Sequence, residues 1–137
     1  MDRKYGQNTN LSAEFFVASQ LYRLGYTVTI TLGHTKEIDL IVAHPDGNII
    51  TIDVKGLKNR TNWPLKPKLT SKTHYFALVV YNNKFQDLSN APEVFIIPSL
   101  DIDKLLQKWT ARPDVTCVAY RDVKNSEYKD AWHLLFK

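Results

Sequence analysis

At 137 residues, 44% hydrophobic and 23% charged, the chain has the size and composition of one globular domain spanning 1–137, and a disordered or low-complexity polymer is excluded. No apolar run approaches the ~18 residues of a spanning helix, no apolar secretory core follows Met1, and Cys117 is the only cysteine, so a soluble cytoplasmic protein with no membrane partner and no disulfide is expected. The net charge of +4 is unevenly placed: residues 54–86 contain no acid and carry +7, leaving −3 elsewhere, which suits either a phosphate-binding face or a solvated lysine-rich loop.

The first element reads as a helix over 11–24, with Asn10 as its N-cap and Gly25 as its stop. Alternation at period two predicts a strand at 26–32. Two more, at 37–44 and 48–55, form a hairpin around Pro45-Asp46-Gly47. A polar stretch, 56–73, precedes apolar strands at 75–81 and 94–97. Ser99 caps an expected helix reaching Trp109, with Asp101 and Asp103 in its first turn; 115–120 is a further strand and 128–136 a closing helix. The order describes a mixed α/β (α+β) domain: an N-terminal helix, a three-stranded meander, further strands and flanking helices.

Pro45-Asp46-Gly47 suits a three-residue hairpin loop with glycine in the left-handed position. Paired residue numbers then sum to 92, which sets Asp39 across from Asp53 and puts Lys55 and Glu37 on the same face. The opposite face, Ile38, Leu40 and Val42 against Ile50, Ile52 and Val54, is wholly aliphatic. Opposed aspartates repel, at ~0.2–1 kcal/mol for a like-charge cross-strand pair. A bridging Mg²⁺ or Mn²⁺ would offset that, as would neutralisation by Lys55 and Lys36 in a structural cluster.

On the helix, Leu11, Phe15, Ala18, Leu21 and Tyr22 form the apolar stripe, flanked by Val17 and Leu24, and Glu14 falls near its middle. A carboxylate aimed at a sheet is expensive unless it is paired or assists a metal.

Glu14 on a helix, then Asp39 and Asp53-Val54-Lys55 on a hairpin, resemble the PD-(D/E)XK nuclease superfamily of restriction-endonuclease-like and Holliday-junction-resolvase-like proteins. The likeness covers residues 6–56. It is similar in particular to small prokaryotic members that continue with a Trp-containing basic loop, here Asn62-Trp63-Pro64, and a strand like Pro92-Glu93-Val94-Phe95. Two positions depart from the usual pattern: Ile38 stands where proline often precedes the first aspartate, and Asp53 where glutamate is commoner. The resemblance implies a restriction-endonuclease-like core and a Mg²⁺-dependent endonuclease that hydrolyses phosphodiester bonds, with DNA as the expected substrate. It implies that Asp39, Asp53 and the Val54 carbonyl hold Mg²⁺ or Mn²⁺. Lys55 would orient water or stabilise developing charge, and Glu14 would assist the metal. The alternative is a non-catalytic module on the same fold that binds nucleic acid or a protein.

The basic loop after Lys55 must leave the sheet beside this site. Lys58, Arg60, Lys66, Lys68 and Lys72 are the expected phosphate contacts; Trp63 either stacks on a base or plugs the loop against the domain. Cutting two strands with one site per chain favours a homodimer. His34, His44, His74 and His133 show no ligand spacing, Cys117 reads as a small core residue, and Trp109 and Trp132 as helix anchors. No Walker loop, dinucleotide fingerprint or His-Asn-His zinc-nuclease pattern is present.

Overall fold

Helix α1 (Asp2–Arg23) begins nine residues earlier than its sequence pattern indicates. Asn10 therefore lies inside the helix and is not its cap. The end is as expected: Gly25 adopts φ +94°, the Gly25 amide donates to the Tyr22 carbonyl and the Tyr26 amide to the Leu21 carbonyl, closing the last turn. The stripe turned to the sheet is Ala13, Glu14, Val17, Ala18 and Leu21, while Phe15 and Tyr22 are more than half exposed. The computed structural model describes residues 2–31 and 38–137, with side chains from Gln7 onward.

Strands β1 (Thr27–Ile30), β2 (Leu40–Ala43) and β3 (Ile49–Leu57) form the antiparallel meander. Leu40 pairs with Ile52 and Ala43 with Ile49, the register set by the three-residue loop. Gly47 takes φ +97° and donates to the His44 carbonyl at 2.9 Å. Past a short β4 (Asn62–Pro64), β5 (His74–Val80) lies parallel to β3, and β6 (Glu93–Pro98) is antiparallel to β5. The sheet order is β1-β2-β3-β5-β6.

Two expected helices are otherwise. Residues 99–104 form a 3₁₀ turn and Leu106–Trp109 is a strand, β7, which with β4 and β8 (Arg112–Ala119) makes a second sheet ordered β4-β8-β7. Ser99 does not cap: its hydroxyl accepts from the Ser71 amide and donates to the Ser71 carbonyl. A short α2 (Tyr120–Val123) follows β8, and the closing segment holds only a 3₁₀ turn, Trp132–Leu134.

Side-chain alternation on the central strands builds a core on each face. Ala13, Val17 and Leu21 of α1 pack on Leu40, Val42, Ile50, Ile52, Val54, Ala77 and Val79. On the other face Phe76, Leu78, Val80, Phe95 and Ile97 pack against Trp63, Val118 and Ile102 beneath the second sheet. That second layer covers the β5–β6 half only. Over β1 and β2, Thr27, Thr29 and Ile41 stay exposed, so the sheet face carrying Asp53 is covered on one side and open on the other. Among the described residues no helix is long and apolar enough to cross a membrane.

Candidate active site

The β2–β3 ladder runs regularly to Leu40↔Ile52 and then stops. The Asp39 amide donates to the Ile52 carbonyl at 3.1 Å, while Thr31 draws the chain aside: its amide donates to the Asp39 carbonyl at 2.9 Å and its hydroxyl bonds the Ile38 carbonyl. This bares one edge of β3 at Val54 and Gly56, whose amides would otherwise lack partners. Side chains take the place of the missing strand. The Asp39 Oδ2 accepts the Val54 amide at 2.7 Å, and the Asn10 Oδ1 accepts the Gly56 amide at 3.1 Å. A strand residue directs its amide and carbonyl to the same side, which puts the Val54 carbonyl on the β3 edge that Asp39 covers.

Asp53 and Lys55 project from β3 on the face opposite the α1 core, in register with Phe76 and Leu78. Burial, foremost, pushes the Asp53 carboxyl up to about 8; a hydrogen bond with the Asp39 carboxyl and the charges of Asp39 and Glu14 push the same way, and Lys55 opposes them. Glu14, Asp39 and Lys55 thus all act on Asp53. Glu14 and Asp39 are buried; Asp53 and Lys55 are half-buried, reachable from the open side. Glu37 and Lys36, expected near this face, lie outside the described residues.

Helix α1 can bring Glu14 here because of Gly56. A Cβ at that position would stand 2.9 Å from the Thr9 carbonyl oxygen and 3.1 Å from the Ala13 Cβ, so only glycine lets the helix lie this close to β3.

The basic residues divide. Lys66, Lys68 and Lys72 are exposed on the run from β4 to β5, and Lys58 is half-buried at the end of β3. Arg60 spends its guanidinium on the protein: Nε donates to Asn82 Oδ1 at 2.7 Å, an ion pair reaches Glu93 at 3.7 Å, and the group sits over the Tyr120 ring. Trp63 is fully buried, edge-on to Phe95, and its indole N–H donates to the Val79 carbonyl at 3.0 Å. It is the plug of the two expected roles and has no face to offer a base.

Two neighbours of the site escaped the sequence reading. Asn10 carried helix-cap chemistry, with nothing to mark it as a partner for a strand 46 residues away. His74 is buried on the Asp53 face, its Nδ1 2.7 Å from the Thr51 hydroxyl. Burial holds its imidazole below the ordinary histidine range, against the pull of Asp39. Only the parallel β3–β5 register brings His74 here, and a crossover register leaves no mark in local alternation.

No family model and no curated protein sequence matches the chain. Its fold matches a solved structure, that of the bacterial homing endonuclease I-Ssp6803I, with a TM-score of 0.58 over 93% of this chain and 90% of that one. At 14% identity the likeness is one of fold. The two proteins share a fold.

Proposed function

We infer that this chain is a metal-dependent nuclease of the PD-(D/E)XK type, hydrolysing phosphodiester bonds of DNA at the notch formed by Glu14, Asp39, Asp53, Val54 and Lys55. What carries this reading is the Asp39–Asp53 pair: the Asp39 carboxylate, fixed by the Val54 amide at 2.7 Å, bears directly on the buried Asp53 carboxyl, with Lys55 two residues on along the same strand. Such a pair cannot keep both charges at close range without a cation or a shared proton.

The donors fit Mg²⁺ or Mn²⁺. They are hard oxygens; among the described residues no group of three acidic, histidine or cysteine side chains is placed to hold a metal, so water and substrate would have to complete the coordination. Mg²⁺ can be held by one or two carboxylates together with water and substrate phosphate. When bound, the ion would polarise the phosphoryl oxygen and lower the proton affinity of a coordinated water. The chain's own contributions are separable. Asp39, fixed through Oδ2 by the Val54 amide, would supply carboxylate oxygen to the ion. Asp53 would hold the cation as its carboxylate, the form that burial disfavours and Lys55 favours. Lys55 brings a positive charge to the face where a phosphate gains charge in the transition state. Glu14 adds a further negative charge from α1.

The fold shared with a homing endonuclease supports this reading. The test is a cleavage panel of single-stranded, duplex and branched DNA, and RNA, with Mg²⁺, Mn²⁺ or chelator. Metal-dependent cutting of DNA is expected; binding without cutting under every condition would instead favour the non-catalytic module.

A further inference from the structure

Beyond the C-terminal end of β3 lies a polar groove of about 520 Å³, lined by Asn8, Lys58, Asn83, Lys84 and Phe85. A second hollow of about 490 Å³ adjoins it, sharing Asn83 and Lys84. The lining is cationic and amide-rich. The one acid among its described lining residues, Asp87, is turned back on its own loop, accepting from the Ser89 hydroxyl at 2.6 Å and from Asn90 Nδ2 at 2.6 Å.

The groove is built on a fixed turn. Asn82 and Asn83 hold left-handed backbone, at φ 55° and 61°. The Asn83 amide donates to the Lys58 carbonyl at 2.6 Å, the Tyr81 amide to the Leu57 carbonyl at 2.9 Å, and Arg60 grips the Asn82 side chain. Lys58 lies with its ammonium 5.6 Å from the centre of the Phe85 ring, which steadies its stem.

Position gives the groove its meaning. Asn8 precedes Glu14 by six residues, ~9 Å along α1. Lys58 follows Asp53 by five, ~16 Å along an extended strand. At the other end, the Thr51 amide donates to the Thr73 carbonyl, placing Lys72 beside the start of β5. Cations therefore stand toward both ends of β3, Lys58 past its C-terminal end and Lys72 beside its first half, separated by ~23 Å of strand. At ~3.4 Å per base pair that spans about seven pairs of a duplex.

We propose that the Asn8–Lys58–Asn83–Lys84 groove is a second backbone-phosphate contact for duplex DNA, so that the duplex lies along β3 and is held on both sides of the candidate site. This rests on the nuclease reading and adds a surface that the basic loop alone does not provide. Lys58 and Lys84 supply the charge; the amides of Asn8 and Asn83 can donate to phosphate oxygens or meet base edges.

The experiment is equilibrium binding of a 20-base-pair DNA duplex (about that length, to exceed the ~7-pair span) in Ca²⁺ across a salt series. Three variants are compared with the parent: Lys58→Gln with Lys84→Gln, Asn83→Asp, and Lys66→Gln with Lys68→Gln and Lys72→Gln. Thermal melts confirm folding, and Asn83→Asp keeps a residue that tolerates left-handed backbone. The double glutamine variant should bind ~10-fold more weakly, with a log–log salt slope shallower by about 2, since each neutralised phosphate contributes ~0.9. Asn83→Asp should weaken binding at least as much. Groove variants that keep the parent's affinity and slope, while the loop variant loses both, overturn the inference and leave the nuclease reading standing. A parent that binds no duplex overturns the nuclease reading itself.

Discussion

The Asp39 carboxylate accepts the backbone amide of Val54 at 2.7 Å, at the point where β2 stops pairing with β3. One side chain thus completes the strand and lines the notch. In the proposed site the same group would be both hydrogen-bond acceptor and metal ligand, so its removal should affect fold and site together.

Asp39→Ala should leave the buried Val54 amide without its partner and lower stability in chelator by ~1–3 kcal/mol, outweighing the relief of carboxylate repulsion. Asp39→Asn keeps an acceptor and should lose less. Both should lose the stabilisation that Mn²⁺ gives the parent, measured by urea unfolding with metal or chelator.

The pH dependence follows from Asp53, whose carboxyl sits at about 8 against an ordinary value of 3.8. A carboxyl raised in the folded state favours its protonated form. Its contribution to stability is fully present below the unfolded value and is lost as pH rises through the folded one. Metal-free parent should therefore lose stability between about pH 4 and pH 8 relative to Asp53→Asn, in which this group is absent. Added Mn²⁺ should restore more at pH 8 than at pH 6, with protons released on binding. Parallel pH profiles for the two proteins in chelator would contradict this.

Gly56→Ala tests the approach of α1. The added methyl meets the Thr9 carbonyl at 2.9 Å, so helix or strand must move, at ~1–3 kcal/mol for an overpacked site. Because the same contact carries Glu14 to the notch, Mn²⁺ affinity should fall as well. Unchanged affinity by calorimetry would show that α1 is not set by this contact.

Trp63→Ala should cost ~3–5 kcal/mol of stability, as for a fully buried aromatic. At temperatures where the variant remains folded, its preference among single-stranded, duplex and branched DNA should match the parent's. A selective loss for single strands would restore the stacking role that burial removes.

The hairpin was legible because its loop residues dictate geometry: Pro45-Asp46-Gly47 fixes the register, and the register puts Asp53 and Lys55 on one face. Glu14 was legible as an acid in an apolar stripe. The neighbouring aromatics misled, since Phe15 and Tyr22 match helical spacing yet point to solvent. The start of α1 was hidden because Gly6, Asn8, Thr9 and Asn10 are poor helix formers; part of its stability comes from packing on β3 at Gly56. Residues 102–109 offered apolar positions at both helical and strand spacing, and pairing with β8 decided the outcome. The notch itself depends on where β2 ends, which Thr31 sets from just beyond β1.

The central claim is that the Asp39–Asp53–Lys55 arrangement cleaves the phosphodiester bond. Its most direct measurement is single-turnover cleavage of a DNA duplex in Mg²⁺ by the parent, Lys55→Ala and Asp53→Asn, with duplex affinity measured on the same samples. The parent should cut and both variants should not, while Lys55→Ala keeps its affinity within about tenfold, roughly 1.4 kcal/mol. Cleavage by Lys55→Ala or Asp53→Asn at the parent's rate would contradict the account.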